Sequence, residues 1–352
     1  MAGGVAFVPG LSRGAAVRDP LGFGVIGLGV GQAHAEALRK ISDVRVVHLC
    51  DQDPLKRKWA RRHFPMATVG ERAEAVWRDP AVGAVVISTY DDAHAAQVAS
   101  ALGHHKHVFV EKPMCRTVEE LSAVRLAWWR HRGRIKLFSN LVLRSAPLYQ
   151  WVRAKLRTGF FGRVYSFDGD YLYGRFSKIT EGWRGKVKDY SVLEGGGIHL
   201  IDLLMWITGE RPRSVWATGN RVCSVGTGFR SNDFVAATLN FPSGLVARIT
   251  ANFGCVHPHQ HVVRLFGTRR TFLYDDAGPR LQSHRDPGPL ARTVPKEPLP
   301  PHKGALLQDF VRAIQINENM NPVTQGFFDG ISVALAGGRS LRSGRKEEIR
   351  YL

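Results

Sequence analysis

From residue 21 onward, short apolar runs alternate with stretches in which apolar residues recur every three or four positions, the pattern of repeated β-α units around a parallel sheet. Phe23 to Gly27 predicts a first strand, and Ala33, Ala37, Leu38 and Ile41 then fall at helical spacing. Val44 to Cys50 predicts a second strand that ends in Asp51. Ala84 to Ser88 (AVVIS) is a continuous apolar run, as suits a parallel strand covered on both faces. His94 to Leu102 predicts a helix and His107 to Val110 a strand, and Thr117 with Glu120 has the T-x-x-E spacing of a helix-opening capping box. Ile135 to Phe138 closes a first domain assigned to residues 21–139, behind a loose arm of residues 1–20.

Beyond residue 140 the pattern changes. Helices are predicted at Leu148 to Leu156 and Ile198 to Ile207, and strands at Val164 to Tyr173, Ser214 to Val222, Asp233 to Phe241, Leu245 to Phe253 and Val262 to Phe266. Short connections such as Pro242-Ser243-Gly244 suit antiparallel hairpins. Residues 277–303 carry seven prolines and no period, which predicts an irregular excursion, a lid or a subunit arm, before a helix from Gly304 to Gln315. The fold class is therefore α/β: a doubly wound parallel sheet, then an α+β domain over 140–352 with a mostly antiparallel open sheet.

A chain of 352 residues has room for two such domains. Its 49 Lys+Arg against 30 Asp+Glu leave a net +19, which attracts phosphates and nucleotides. No zinc-finger spacing, basic heptad helix or aromatic RNA-binding signature accompanies that charge, so nucleic acid is not the expected partner. No apolar run approaches the roughly 20 residues of a membrane span, and the first twenty residues lack a secretory pattern, so a cytoplasmic protein is expected. Cys50, Cys115, Cys223 and Cys255 are scattered, without the spacing of a disulfide framework or zinc site.

Residues 27–34 read G-L-G-V-G-Q-A-H between a predicted strand and helix. Gly27, Gly29 and Gly31 there allow a tight turn and close approach of a pyrophosphate to the helix start, the signature of a Rossmann dinucleotide site. The usual spacing is G-x-G-x-x-G, so the third glycine comes one residue early. Asp51 can accept hydrogen bonds from both adenosine ribose hydroxyls and would repel a 2′-phosphate, which favours NAD over NADP. Glu111-Lys112-Pro113 follows a strand at the carboxyl edge of the sheet, where Pro113 holds Lys112 extended and allows a cis peptide. A buried Lys112 can serve as the base that takes a hydroxyl proton; an ordinary solvated lysine is the alternative. In E-G-G-G-I-H-L-I-D, His199 and Asp202 share a helix face, so His199 could relay that proton and Asp202 could orient its ring; a packed core histidine is the alternative. Tyr171, Tyr173, Phe176, Trp183 and Tyr190 interleave with Arg175, Lys178, Arg184, Lys186 and Lys188, a composition suited to sugar faces and a diphosphate or to ordinary basic loops. His257, His259 and His261 alternate, which places them on one strand face unless Pro258 interrupts it. They are read as substrate-facing or loop groups, with no metal expected.

Together GVIGLGVGQAHAEAL, CDQDP, DPAVGAVVISTYDDAHAAQVASAL, HVFVEKPMCRTVEEL and GGGIHLIDLLMW, in that order, resemble the glucose-fructose oxidoreductase / inositol dehydrogenase / MocA (Gfo/Idh/MocA) family. The resemblance implies an NAD-dependent oxidoreductase with Lys112 and His199 as catalytic groups and Asp202 beside them. It places Thr89, His94 and Glu111 with the cofactor, and implies a homodimer or homotetramer. Tyr173, Arg175, Trp183, Arg184 and His257 are assigned to the substrate, which the basic and aromatic strip points toward a nucleotide-linked sugar. The alternatives are a dehydrogenase of free inositol or monosaccharide, and a cofactor-binding sensor without turnover. Two departures bear on that last alternative: the compressed glycine loop, and Gly195 where many members carry an aspartate, with Glu194 or Asp202 as its candidate substitutes.

Overall fold

Each short apolar run of the first half becomes a strand flanked by helices. In the computed structural model, which describes residues 19–187, 189–286 and 290–352, β1 (Leu21–Ile26), α1 (Gly31–Leu38), β2 (Val44–Cys50), α2 (Pro54–His63), β3 (Thr68–Gly70), α3 (Ala73–Arg78), β4 (Ala84–Ile87), α4 (His94–Gly103), β5 (His107–Val110), α5 (Val118–Trp129) and β6 (Leu137–Ser139) follow one another. Nearly all of the expected arm, and Lys188, lie outside the described residues. The strands pair in parallel in the order β3-β2-β1-β4-β5-β6, so the direction of winding reverses between β1 and β4. β4 is buried along its whole length, which is why its sequence shows no alternation. The Thr117 hydroxyl caps α5 by accepting from Glu120 N, and the Glu120 carboxylate reaches back to Arg116 N.

The second half continues with α6 (Pro147–Arg157), β7 (Val164–Leu172), α7 (Ser177–Thr180), α8 (Ile198–Thr208), β8 (Ser214–Asn220), β9 (Phe234–Asn240), β10 (Val246–Asn252), β11 (Gln260–Gly267), β12 (Thr271–Asp275), β13 (Gly278–Gln282), β14 (Arg292–Thr293), α9 (Ala305–Gln315), α10 (Asn321–Ser343) and β15 (Glu347–Glu348). These strands form one sheet in the order β14-β13-β12-β11-β7-β10-β9-β8-β15. Its pairs are antiparallel except β7 with β10, where the chain returns to the centre after an intervening excursion.

One expectation is corrected here, and one element is new. Residues 277–303 are not wholly irregular, because β13 and β14 extend the sheet; Pro279 is accommodated near that edge, its carbonyl accepting from Val294 N. The long helix α10 had no sequence signal. It is buried on every side from Phe327 to Gly338, so it shows no apolar stripe, and Gly330, Gly337 and Gly338 lower its propensity. From the second sheet the chain returns to the first: Phe310 of α9 packs against Phe23, Phe109 and Phe138. Among the described residues, no helix is long and apolar enough to cross a membrane.

Candidate active site

An open α/β sheet leaves a crevice outside the carboxyl ends of its strands at the point where winding reverses. Here that crevice is a cleft of about 720 Å3, running from Asp51 and Glu71 at one end to Lys112, Trp183 and Arg184 at the other. Gly27 ends β1 at φ +85°, and a Cβ there would lie 2.5 Å from Ser88 O. A Cβ on Gly29 would meet no atom within 4 Å, so bare main chain faces the cleft. Gly31 opens α1 against β4, where a Cβ would lie 2.7 Å from Ser88 Oγ. The early third glycine thus provides the close helix-to-sheet packing, and the compression is absorbed there. Val30 gives the helix no side-chain cap, and its first turn carries no acidic residue. The exposed positive end of α1 beside a glycine surface fits a pyrophosphate.

At the Asp51 end, Oδ2 accepts from Leu28 N at 2.6 Å and Oδ1 from Asp53 N at 2.8 Å, which fixes the carboxylate at the tip of β2. Asp51, Asp53, Glu71 and Glu74 line this end with Lys56 and Arg72, an acidic excess that suits ribose hydroxyls and opposes a 2′-phosphate. Arg57 is committed to Asp51 O and Gln52 O. These residues fit NAD.

At the other end, Lys112 leaves β5 through a cis peptide to Pro113, and its Nζ donates to Gly195 O at 2.8 Å. Gly195 lies in a π-helical turn, Leu193–Gly197, that runs directly into α8. His199, one turn on, is 6% exposed, stacked on Tyr171 with centroids 6.0 Å apart and edge-on to His261 at 5.5 Å. The predicted amine and imidazole therefore converge from separate domains. Burial lowers the Lys112 pKa; the Asp91 carboxylate opposes this and the Arg184 guanidinium adds to it. Burial, then the charges of Lys112, His261 and His259, hold His199 well below the usual imidazole range. Its Nδ1 is buried without a partner among the described residues.

Several expected site residues do other work. Asp202 is engaged by Arg144: its Oδ2 accepts from Arg144 Nε at 2.9 Å and its Oδ1 from Arg144 Nη2 at 2.5 Å. Helical spacing gave the shared face correctly but could not reveal a partner 58 residues away. His257 is also displaced, with Nδ1 donating to Pro258 O and Nε2 bonded to Asp276, because β11 starts only at Gln260. His259 and His261 instead join Tyr171, and burial depresses them to about 4 and about 3. His94 has Nδ1 on Pro113 O and Nε2 on Thr89 O, so it braces the Lys112 turn and keeps no ring nitrogen for a ligand. Thr89 lines the cleft and donates to Gln97.

Glu111 Oε1 accepts from His34 and from Asn140, tying α1 to the segment after β6; burial opposes its charge, yet these bonds and Lys112 hold it at about 2. Tyr173 stacks on Tyr171 under the Arg175 guanidinium, and Trp183 stacks on Tyr90 across the cleft, with centroids 4.8 Å apart. Arg184 lies over Trp183 and donates to Tyr190. Sequence reading missed the buried Asp91, although it stands between Thr89 and His94 in the quoted T-Y-D-D-A-H.

Neither candidate substitute occupies the place of a side chain at 195. Glu194 lies near Gly338 and Arg342 of α10, where burial pushes its carboxyl up to about 8 against the pull of Arg116 and Arg342. An unfolded glutamate titrates near 4.3, so the folded chain binds this proton more tightly and loses stability as pH rises from about 4.3 toward 8. Glu194→Gln is expected to match the wild type near pH 5 and to exceed it at pH 9 by a few kcal/mol at most. Equal melting temperatures at pH 9 would contradict this.

A parallel sheet with a glycine turn, joined across one cleft to an open sheet, defines the class of two-domain dinucleotide-dependent oxidoreductases. Residues 21–135 match the oxidoreductase family with an NAD-binding Rossmann fold, and residues 149–273 match the GFO/IDH/MocA C-terminal domain. The chain belongs to the Gfo/Idh/MocA family of oxidoreductases.

Inositol 2-dehydrogenase of Acidothermus cellulolyticus is 28% identical over 56% of this chain and 56% of its own length, so the chain matches just over half of that relative. Inositol 2-dehydrogenase/D-chiro-inositol 3-dehydrogenase of Lacticaseibacillus casei is 24% identical over 92% of each chain. The crystal structure of scyllo-inositol dehydrogenase from Lactobacillus casei with bound NAD(H) and scyllo-inositol shares the fold at a TM-score of 0.77, with 19% identity over 93% of this chain and 98% of that one.

Proposed function

We propose that the protein is an NAD-dependent dehydrogenase of a free polyol ring, an inositol or a monosaccharide. The observation that supports this best is the approach of Lys112, which lines the cleft, to His199, with the amine held on Gly195 O one turn ahead of the imidazole. Gly27, Gly29 and Asp51 would hold NAD in the cleft, where it would supply the hydride acceptor. Lys112, its pKa lowered by burial, takes the hydroxyl proton. His199, kept neutral and 6% exposed, hydrogen-bonds the same or a neighbouring hydroxyl through its accessible edge. Tyr171, Tyr173, His259 and His261 offer aromatic faces and uncharged polar edges to a hydroxylated ring.

The free polyol is favoured over a nucleotide-linked sugar for two reasons. Arg184 is already engaged with Trp183 and Tyr190 and is not free to take a diphosphate. The inositol dehydrogenases among the relatives point the same way. Subunit pairing is proposed through the outer face of the second sheet, where Arg248 bonds Asp168 and Asp170 and Trp216 stands exposed.

Purified protein is expected to reduce NAD, measured at 340 nm, with at least one member of a panel of inositols and monosaccharides, and to be slower with NADP. Cofactor binding with no turnover across the panel would favour the sensor, and turnover confined to UDP-, GDP- or dTDP-sugars would restore the nucleotide-sugar reading.

A further inference from the structure

Groups from both domains close on the peptide at Gly195, and one of them has no part in the chemistry described so far. Lys112 Nζ bonds the Gly195 carbonyl at 2.8 Å. A Cβ built on Gly195 would lie 2.1 Å from Tyr190 Oη and 2.7 Å from its Cζ, so the phenol fills the volume that any side chain at 195 would take. Tyr190 is 2% exposed, and Trp183, Phe229 and Phe253 pack around its ring and fix its direction. Its oxygen accepts from Arg184 Nε at 3.2 Å, which is its one hydrogen-bond partner among the described residues. An oxygen that accepts from a guanidinium retains its own proton to donate, and the adjacent charge strengthens that donor. Burial pushes the phenol's titration up, with Arg184 acting against it, so the donor stays protonated across the working pH range.

We propose that Tyr190, its oxygen held by Arg184, is a second hydrogen-bond donor to the reacting oxygen, beside Lys112. This rests on the dehydrogenase reading above. In the oxidation, the ring C–H leaves as hydride to NAD, the hydroxyl proton passes to the Lys112 amine, and the oxygen becomes a carbonyl. Tyr190 steadies that oxygen throughout and keeps its own proton. A donor that does not titrate suits a position one peptide away from the titrating amine.

Tyr190→Phe keeps the ring and removes the donor. It is expected to lower kcat/KM by roughly 10²-fold, the usual effect of deleting one donor to a reacting oxygen. NAD affinity, read by fluorescence titration, should stay within about twofold, and the polyol should bind the enzyme–NADH complex several-fold more weakly by calorimetry. The loss should be the same at every pH, with the limb set by Lys112 unmoved. A shifted limb would mean that the phenol only tunes Lys112, and unchanged kcat/KM would mean that it does nothing; either result overturns the proposal. A wild type that turns over no polyol would instead remove the dehydrogenase reading beneath it, so the two failures are distinct.

Discussion

Lys112→Ala is expected to cut turnover by about 10³-fold or more while NAD affinity stays within a few-fold. The amine reaches the deep end of the cleft, whereas the glycine turn, the α1 terminus and Asp51 hold the opposite end. Removing the amine therefore deletes the proton acceptor and leaves the larger part of the cofactor's contacts in place. The pH profile carries a second expectation. Burial lowers the Lys112 pKa, so wild-type oxidation should rise with pH as the amine loses its proton and level off below the ordinary lysine range. Steady-state kinetics with fluorescence titration of NAD test both parts. Full activity in the variant would end the assignment of Lys112 as the base.

Asp202→Ala should act on folding before chemistry. Both carboxylate oxygens are bonded to Arg144, with side-chain exposures of 2% for Asp202 and 10% for Arg144, and the guanidinium lies 4.3 Å from the Phe327 ring centroid. Deleting the acid leaves an uncompensated buried cation, which costs roughly 3–5 kcal/mol. Denaturant titration should show that loss. The double variant Asp202→Leu/Arg144→Met should recover most of it, because the second change removes the stranded charge. If Asp202→Ala were as stable as wild type but inactive, the residue would belong to the reaction after all.

Five strands of the first sheet were legible because each is an apolar run bounded by turn residues, and their observed limits lie within about two residues of the expected ones; the three-residue edge strand β3, with no apolar run, was not expected. Lys112 and His199 each sit in a short motif that by itself also fits a solvated lysine or a packed histidine, and it was the order of several such motifs along the chain that singled them out. Asp202 was misread for the converse reason: its place on α8 is local information, but its partner Arg144 comes from a turn far back in the chain. His257 shows the same limit at shorter range, since alternation holds only where the strand has begun, and Pro258 delays that until Gln260. Tyr190 was read as one aromatic in a basic strip. Only the three-dimensional fold shows that its hydroxyl occupies the space left by the missing side chain at 195.

The return of α9 onto the first sheet also bears on how the chain matures. Phe310 completes an aromatic layer begun by Phe23, Phe109 and Phe138. A ribosome that has released only the nucleotide-binding half has therefore exposed an unfinished hydrophobic floor, which stays open until the segment around residue 310 emerges. The nucleotide half of this protein thus cannot bury its full aromatic layer from its own residues alone, and that layer closes only after the second domain has been made.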